Sequence, residues 1–78
     1  MHLDIVSPEK NIFSGEVSSI TLPGTSGSFG ILNNHAPLIS TLKKGKIKTL
    51  NPAGTNDFFE INGGVVEVLK NKVIVLAE

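Results

Sequence analysis

The hydrophobic positions of this chain fall in short runs separated by turn-forming residues, and none of the runs keeps the 3.6-residue period of a helix face. Residues 3–7 form an apolar-rich run closed by Pro8-Glu9-Lys10-Asn11, the composition of a turn. Residues 12–14 extend briefly up to Gly15, and residues 17–22 resume with Ile20 and Leu22 on one face. Val17 falls out of that parity, which predicts either a bulge at Ser18-Ser19 or a strand buried on both faces. Residues 38–42 and 47–50 read as two strands joined by a hairpin at Lys43-Lys44-Gly45-Lys46. A long turn over residues 51–56 leads to residues 58–61, a tight connection at Gly63-Gly64, and then residues 65–69. Lys70-Asn71-Lys72 makes the last reversal, and residues 73–77 close the chain as a strand.

The chain is organised around residues 24–39, which hold three of the eight glycines and one of the four prolines. Gly24 and Gly27 permit turns, residues 29–32 form a short apolar strand, and Asn33-Asn34 tolerate the left-handed backbone of a sharp reversal. Pro37 biases Ala36 toward extended geometry, so the chain leaves this stretch already aimed as a strand. Eight or nine short strands at regular spacing predict an all-β sandwich or barrel.

The last two strands are apolar on both sides. Val73, Val75 and Ala77 point one way while Ile74 and Leu76 point the other, and Val66 with Val68 opposes Val65 with Leu69. A small sandwich has one inward face per sheet, so apolar side chains are left outside, either as an interface or under loops and sheet edges.

Composition narrows the chemistry. A 78-residue chain makes one domain, and a chain of this size buries only about 60% of the surface its unfolded form exposes. It has no cysteine, so apolar packing and strand pairing must hold it without disulfide or thiolate-metal reinforcement. Seven basic and seven acidic residues cancel, which argues against a nucleic-acid binder. Asp4, Pro8, Glu9 and Lys10 interrupt any signal-peptide core, and no apolar run approaches the roughly 20 residues of a membrane helix. Contact with a membrane is therefore expected only through partners.

His2 and His35 have no cysteine to complete a zinc site. Asp4, Asp57 and several serines could supply a hydrolytic triad, but no nucleophile elbow surrounds any serine, and Gly24-Thr25-Ser26-Gly27 has the wrong pattern. The glycines at 24, 27 and 30 open no helix and no Gly-Lys-Ser/Thr follows, so a phosphate loop is not predicted. No catalytic, cofactor or metal site is expected. Lys43, Lys44, Lys46 and Lys48 form a local basic run, read as a solvated hairpin, with an acidic partner or lipid headgroups as the functional alternative. His35, beside a proline in a turn, is read as a hydrogen-bonded loop organiser.

Several segments together resemble a known family. Residues 3–9 (Leu-Asp-Ile-Val-Ser-Pro-Glu), Phe13-Ser14-Gly15, Gly30-Ile31 followed by His35-Ala36-Pro37-Leu38, Gly45, Ile61 with Gly63-Gly64, and Val73 with Val75-Leu76-Ala77 look like the amino-terminal domain of the epsilon subunit of F-type ATP synthases. The match is collinear over residues 1–78. The resemblance implies a flattened β-sandwich of about ten short, mainly antiparallel strands, and a non-catalytic place in the central stalk between the gamma subunit and the membrane c-ring. It implies that Ser28, Phe29 and Gly30 face the ring and that Ser7, His35 and Ser40 lie toward gamma. It also implies a peripheral position on the cytoplasmic face of a bacterial inner membrane, and support for coupling of proton translocation to ATP synthesis. Two departures stand out: Ser28 occupies a position that is acidic in many bacterial members, and residues 1–78 contain no counterpart of the helical hairpin that usually follows the sandwich. A biotinyl or lipoyl carrier domain is the alternative, with Lys70 or Lys72 as acceptor, although the Met-Lys-Met or Asp-Lys-Ala setting of those families is missing.

Overall fold

The computed structural model describes residues 1–78 as seven strands without a helix. They are β1 (His2–Val6), β2 (Asn11–Glu16), β3 (Ser19–Gly24), β4 (Gly27–Leu32), β5 (Leu38–Leu50), β6 (Asn56–Leu69) and β7 (Lys72–Ala77). All lie in one continuous sheet of order β2-β1-β7-β6-β5-β3-β4. Every pairing is antiparallel except β1 with β7, which sets the first strand beside the last.

The all-β class agrees with the sequence, but about ten strands was too many. Two expected breaks are absent. Lys43 pairs with Gly63 and Gly45 with Ile61 in one unbroken register, so Lys43-Lys44-Gly45-Lys46 lies inside β5 and Gly63-Gly64 inside β6. A straight strand of fourteen residues would span roughly 46 Å, whereas the longest dimension of the molecule is 27 Å. The long β5-β6 ribbon must therefore bend. Gly63 and Gly64 have φ of 137° and 149°, a backbone that side-chain-bearing residues rarely adopt. The inward face changes parity at the same place: Val66 and Val68 are buried beyond the glycines, Ile61 before them, with Leu42 and Ile47 doing likewise on β5. The residues read as turns are bends instead.

Because the ribbon bends, the β2-β1-β7 end and the β3-β4 end of the sheet close over a shared core. Fifteen buried apolar residues fill it, among them Leu3 and Ile5 from β1, Ile20 and Leu22 from β3, Ile31 from β4, Ile47 from β5 and Val73 and Val75 from β7. The rings of Phe13 on β2 and Phe59 on β6 meet at 5.2 Å and 51°, a tilted aromatic pair that seals one open side. Gly45 is packed beneath Pro23, whose ring would lie 2.9 Å from an added Cβ. Thr49 is fully buried among these side chains, and its hydroxyl has no hydrogen-bond partner.

The remaining turns follow the sequence closely. Asn34 is left-handed at φ 62° and the strand over residues 29–32 forms within β4. Lys70 and Asn71, both with positive φ, make a two-residue reversal into β7. The bulge expected at Ser18-Ser19 is not there. The chain breaks between β2 and β3, where Val17 N–H donates to Met1 O at 2.9 Å and Ser18 N–H to Leu50 O at 2.7 Å. The irregularity of β3 falls between Thr21 and Gly24 instead, around Pro23, which has no N–H to give β5.

Candidate interaction surfaces

Antiparallel register on β1 and β2 sets Asp4 opposite Ser14 and His2 opposite Glu16. The Ser14 hydroxyl donates to Asp4 Oδ1 at 2.6 Å, and His2 Nε2 lies 3.2 Å from that oxygen and 3.5 Å from Ser14 Oγ. A hydrolytic relay needs the imidazole between hydroxyl and carboxylate, one nitrogen toward each. Here one nitrogen faces both, and the hydroxyl proton is already committed to the carboxylate. Serine, histidine and aspartate are thus brought together without an activated nucleophile.

The cluster has an electrostatic and architectural consequence. Ser14's hydrogen bond holds the Asp4 carboxyl below its ordinary value of 3.8, with partial burial opposing and His2 and Lys72 adding to the lowering. His2 Nδ1 sits 3.7 Å from Glu16 Oε1, and the Met1 ammonium 3.4 Å from Glu16 Oε2. The same ammonium donates to Val17 O at 3.1 Å and to Asn33 Oδ1 at 2.7 Å. These contacts tie the start of β1 to the end of β2 and to the turn after β4.

The outer face of the β5-β6-β7-β1 region is apolar. Register places Ile39, Glu67, Ile74 and Asp4 in one row and Thr41, Val65, Leu76 and Val6 in the next. Ile39 is 72% exposed, Leu76 55% and Leu69 51%, with Val65 and Ile74 also open to solvent. Leu69 and Glu67 border two shallow recesses of about 190 and 350 Å³, one floored by Ile74 and the other by Ile39 and Pro37. Directly paired aliphatic side chains on a wet face stabilise a sheet modestly, but they leave a patch that a partner surface can dehydrate. Strands apolar on both faces required some outward apolar side chains without saying which; the structure puts Val65, Leu69, Ile74 and Leu76 outside, and Ile39 joins them because pairing sets it in the Ile74 row.

The residues carried over from the family resemblance occupy three separate places. Ser28, Phe29 and Gly30 all lie on β4, an edge strand paired only with β3. Ser28 and Gly30 are exposed, whereas Phe29 turns to the other face, half-buried against the core. Ser7 lies in the β1-β2 turn, where its hydroxyl and backbone bond Lys10, just past the Val6–Leu76 pair. His35 sits toward the opposite end of the sheet, one residue after Asn34, whose N–H donates to Asn71 Oδ1. His35 Nδ1 is 2.7 Å from Ala36 O and its N–H donates to Leu32 O, the contacts of a loop organiser. Ser40 stands on the face of β5 opposite Ile39, beside buried Val66. Ser7, His35 and Ser40 are not gathered on one surface.

The carrier alternative places Lys70 in the β6-β7 reversal and Lys72 at the start of β7, both exposed. Similarity to known proteins points elsewhere. The family described as ATP synthase, Delta/Epsilon chain, beta-sandwich domain matches residues 1–78. The chain is 46% identical over 78 residues to the ATP synthase epsilon chain of Nitrosococcus oceani, covering all of this chain and 56% of that one. It is 49% identical over 76 residues to the ATP synthase epsilon chain of Chlorobium limicola, covering 97% of this chain and 86% of that one. A chain in the cryo-EM structure of Euglena gracilis mitochondrial ATP synthase, OSCP/F1/c-ring, superimposes with a TM-score of 0.90 at 25% identity, over 96% of this chain and 48% of that one. A chain of the Tetrahymena thermophila mitochondrial ATP synthase central stalk/c-ring superimposes with a TM-score of 0.81 at 21% identity over 97% of this chain and 61% of that one, a likeness of fold.

Proposed function

The chain belongs to the family of ATP synthase delta/epsilon-chain β-sandwich domains, and from that premise we propose that it is a non-catalytic part of the central stalk, joining the gamma subunit to the membrane c-ring. Its relatives are epsilon chains of ATP synthase, and the one from Nitrosococcus oceani is nearly twice as long as the matched region. In this reading the domain contributes a rigid body that takes up torque and supports coupling of proton flow to ATP synthesis. It stands peripherally on the cytoplasmic side of a bacterial inner membrane.

The observation that carries the reading is the exposed apolar face built by Ile39, Val65, Leu69, Ile74 and Leu76. A domain of this size gains nothing from leaving such side chains wet, whereas a rotor shaft packed on them would remove them from water. The gamma subunit is assigned to that face. Ser7 and His35 lie at its two ends and define the limits of the contact, and Ser40 faces inward beneath it. The ring is assigned to β4, where Ser28 and Gly30 form an exposed platform of small side chains and Phe29 anchors the strand from below.

Replacing Leu76 with aspartate tests the gamma assignment. Leu76 is exposed, so Leu76→Asp leaves the isolated domain folded, as circular dichroism would report. Against gamma it buries an unpaired carboxylate, a change that costs several kcal/mol in a dehydrated contact. Co-purification of gamma with the variant drops to background; undiminished recovery removes gamma from this face.

A further inference from the structure

We propose that the outer side of the β5-β6 bend, with Lys43, Lys44, Lys46, Lys48 and Phe58, docks this domain directly on an anionic lipid bilayer. This goes beyond the stalk reading, which brings the chain to a membrane only through partners, and it extends the face on which Gly30, assigned to the ring, shares a row with Thr21, Lys48 and Phe58.

All seven basic residues are lysines, and the net charge is zero. The fold separates what the sum conceals. Lys43, Lys44, Lys46 and Lys48 are all exposed along one stretch of β5, and the acidic side chains on the paired half of β6 are Asp57 and Glu60. Asp4, Glu9, Glu16 and Glu67 lie on or beside β1, β2, β7 and the far half of β6, with Lys10, Lys70 and Lys72, while Glu78 reaches the bend, where its N–H donates to Gly63 O and its carboxylate lies against Gly63. The bend thus carries four lysines against three carboxylates, so its positive character is local to the strand face that holds the lysines. Glu60 stands opposite Lys46 in the register, yet no ammonium of the four comes within 4.0 Å of a carboxylate.

Their placement excludes the expectation of a hairpin tip. The four are held on a continuous, bent strand, whose pleat sets Lys44, Lys46 and Lys48 on one face with Glu60 and Phe58, while Lys43 falls across the bend, two residues on from Thr41. Phe58, opposite Lys48 in the register, is 59% exposed. Leu32 is 66% exposed at the end of β4, across Ser19 and Leu50 on the same half of the sheet. An apolar ring and an aliphatic side chain set among unpaired cations is the pattern that binds at a lipid surface, with charges at the phosphates and apolar groups between the headgroups.

Chemistry also favours lipid over an acidic protein. A defined carboxylate partner is best met by planar guanidinium forks, and the chain has none. Lysine is a flexible point charge that suits a fluid layer of phosphates with no fixed geometry. The only concavity here, lined by Lys44, Gly45, Lys46, Glu60, Ile61 and Asn62, is an open trough with a carboxylate on its rim rather than an enclosed anion pocket.

Vesicle flotation tests the proposal with phosphatidylglycerol in phosphatidylcholine as the probe and pure phosphatidylcholine as the reference. The purified chain floats with the anionic vesicles and not with the neutral ones, and molar salt, where the Debye length falls to about 3 Å, releases it. Binding falls about fivefold for each lysine removed near the surface, so K46Q/K48Q loses more than an order of magnitude and Phe58→Ser loses a smaller factor. K70Q/K72Q, at the other end of the molecule, leaves binding unchanged. Equal flotation with neutral vesicles, or an equal loss in K70Q/K72Q, overturns the proposal. Absence of flotation with retention on immobilised polyglutamate overturns it in favour of an acidic protein partner. Recovery of gamma by K46Q/K48Q stays at the parent level, which separates failure here from failure of the stalk assignment.

Discussion

Thr49 is the one buried side chain whose polar atom has no partner. A hydroxyl taken out of water without a hydrogen bond is destabilising, and valine has the same shape without that group. Thr49→Val therefore raises stability by about 1 kcal/mol, seen as a higher urea midpoint with an unchanged slope. Loss of stability would mean that the hydroxyl is satisfied in solution. At the surface, the short Ser14–Asp4 bond sets a measurable property of the acid. Ser14→Ala removes the largest cause of lowering and moves the Asp4 carboxyl back toward 3.8, which NMR titration reads directly. The sign for stability follows from the lowered folded value: Asp4's contribution is present above the unfolded carboxylate value and is lost as pH falls through the folded one. In Ser14→Ala the folded value moves toward the unfolded one, so that acid-side loss is smaller and is complete at a higher pH than in the parent.

At the scale of elements, the β5-β6 ribbon decides the architecture, and its bend rests on glycine. Gly64 combines φ 149° with an added Cβ that would be driven into the Leu76 carbonyl. Neither strain can be relieved by moving a flexible side chain, because the obstacle is the backbone of the neighbouring strand. Gly64→Ala is expected to cost at least about 2 kcal/mol. Gly30 is the control: its backbone is ordinary extended strand and its nearest obstacle is the Ile20 carbonyl at 3.7 Å. Gly30→Ala is neutral or stabilising by up to about 1 kcal/mol through the unfolded chain. Equal losses in the two variants, compared by chemical denaturation, would show that the bend does not depend on the glycine backbone at 64.

At the scale of the whole molecule, one closed-over sheet leaves its apolar and charged features on the outside. Residues 1–78 include no helix, and the glycine-rich β3-β4 turn opens onto a strand rather than onto the helix N-terminus that phosphate binding uses. These residues are expected to bind ATP no more tightly than about millimolar, equivalent to roughly 4 kcal/mol. Calorimetric titration checks this, and a stoichiometric micromolar isotherm would place a nucleotide site on the sandwich itself.

Residue pattern alone determined the all-β class, the reversals at Asn34 and Lys70-Asn71, and the presence of apolar side chains on both faces of β7 and the far half of β6, while burial decided that Val66, Val68, Val73, Val75 and Ala77 form the inward set. The patterned features are local: side-chain alternation has a period of two, and left-handed turns select asparagine or glycine wherever they occur. The tertiary structure alone decided that Lys43-Lys44-Gly45-Lys46 and Gly63-Gly64 bend one ribbon instead of ending strands. Turn chemistry and bend chemistry use the same residues, and only the pairing of Lys43 with Gly63 distinguishes them. It likewise brought Ser14 to Asp4, seated Ile39 beside Ile74's row, and parted Ser7 from His35. Each of these is a cross-strand relation, fixed by register between segments far apart in the chain, and no local pattern encodes it.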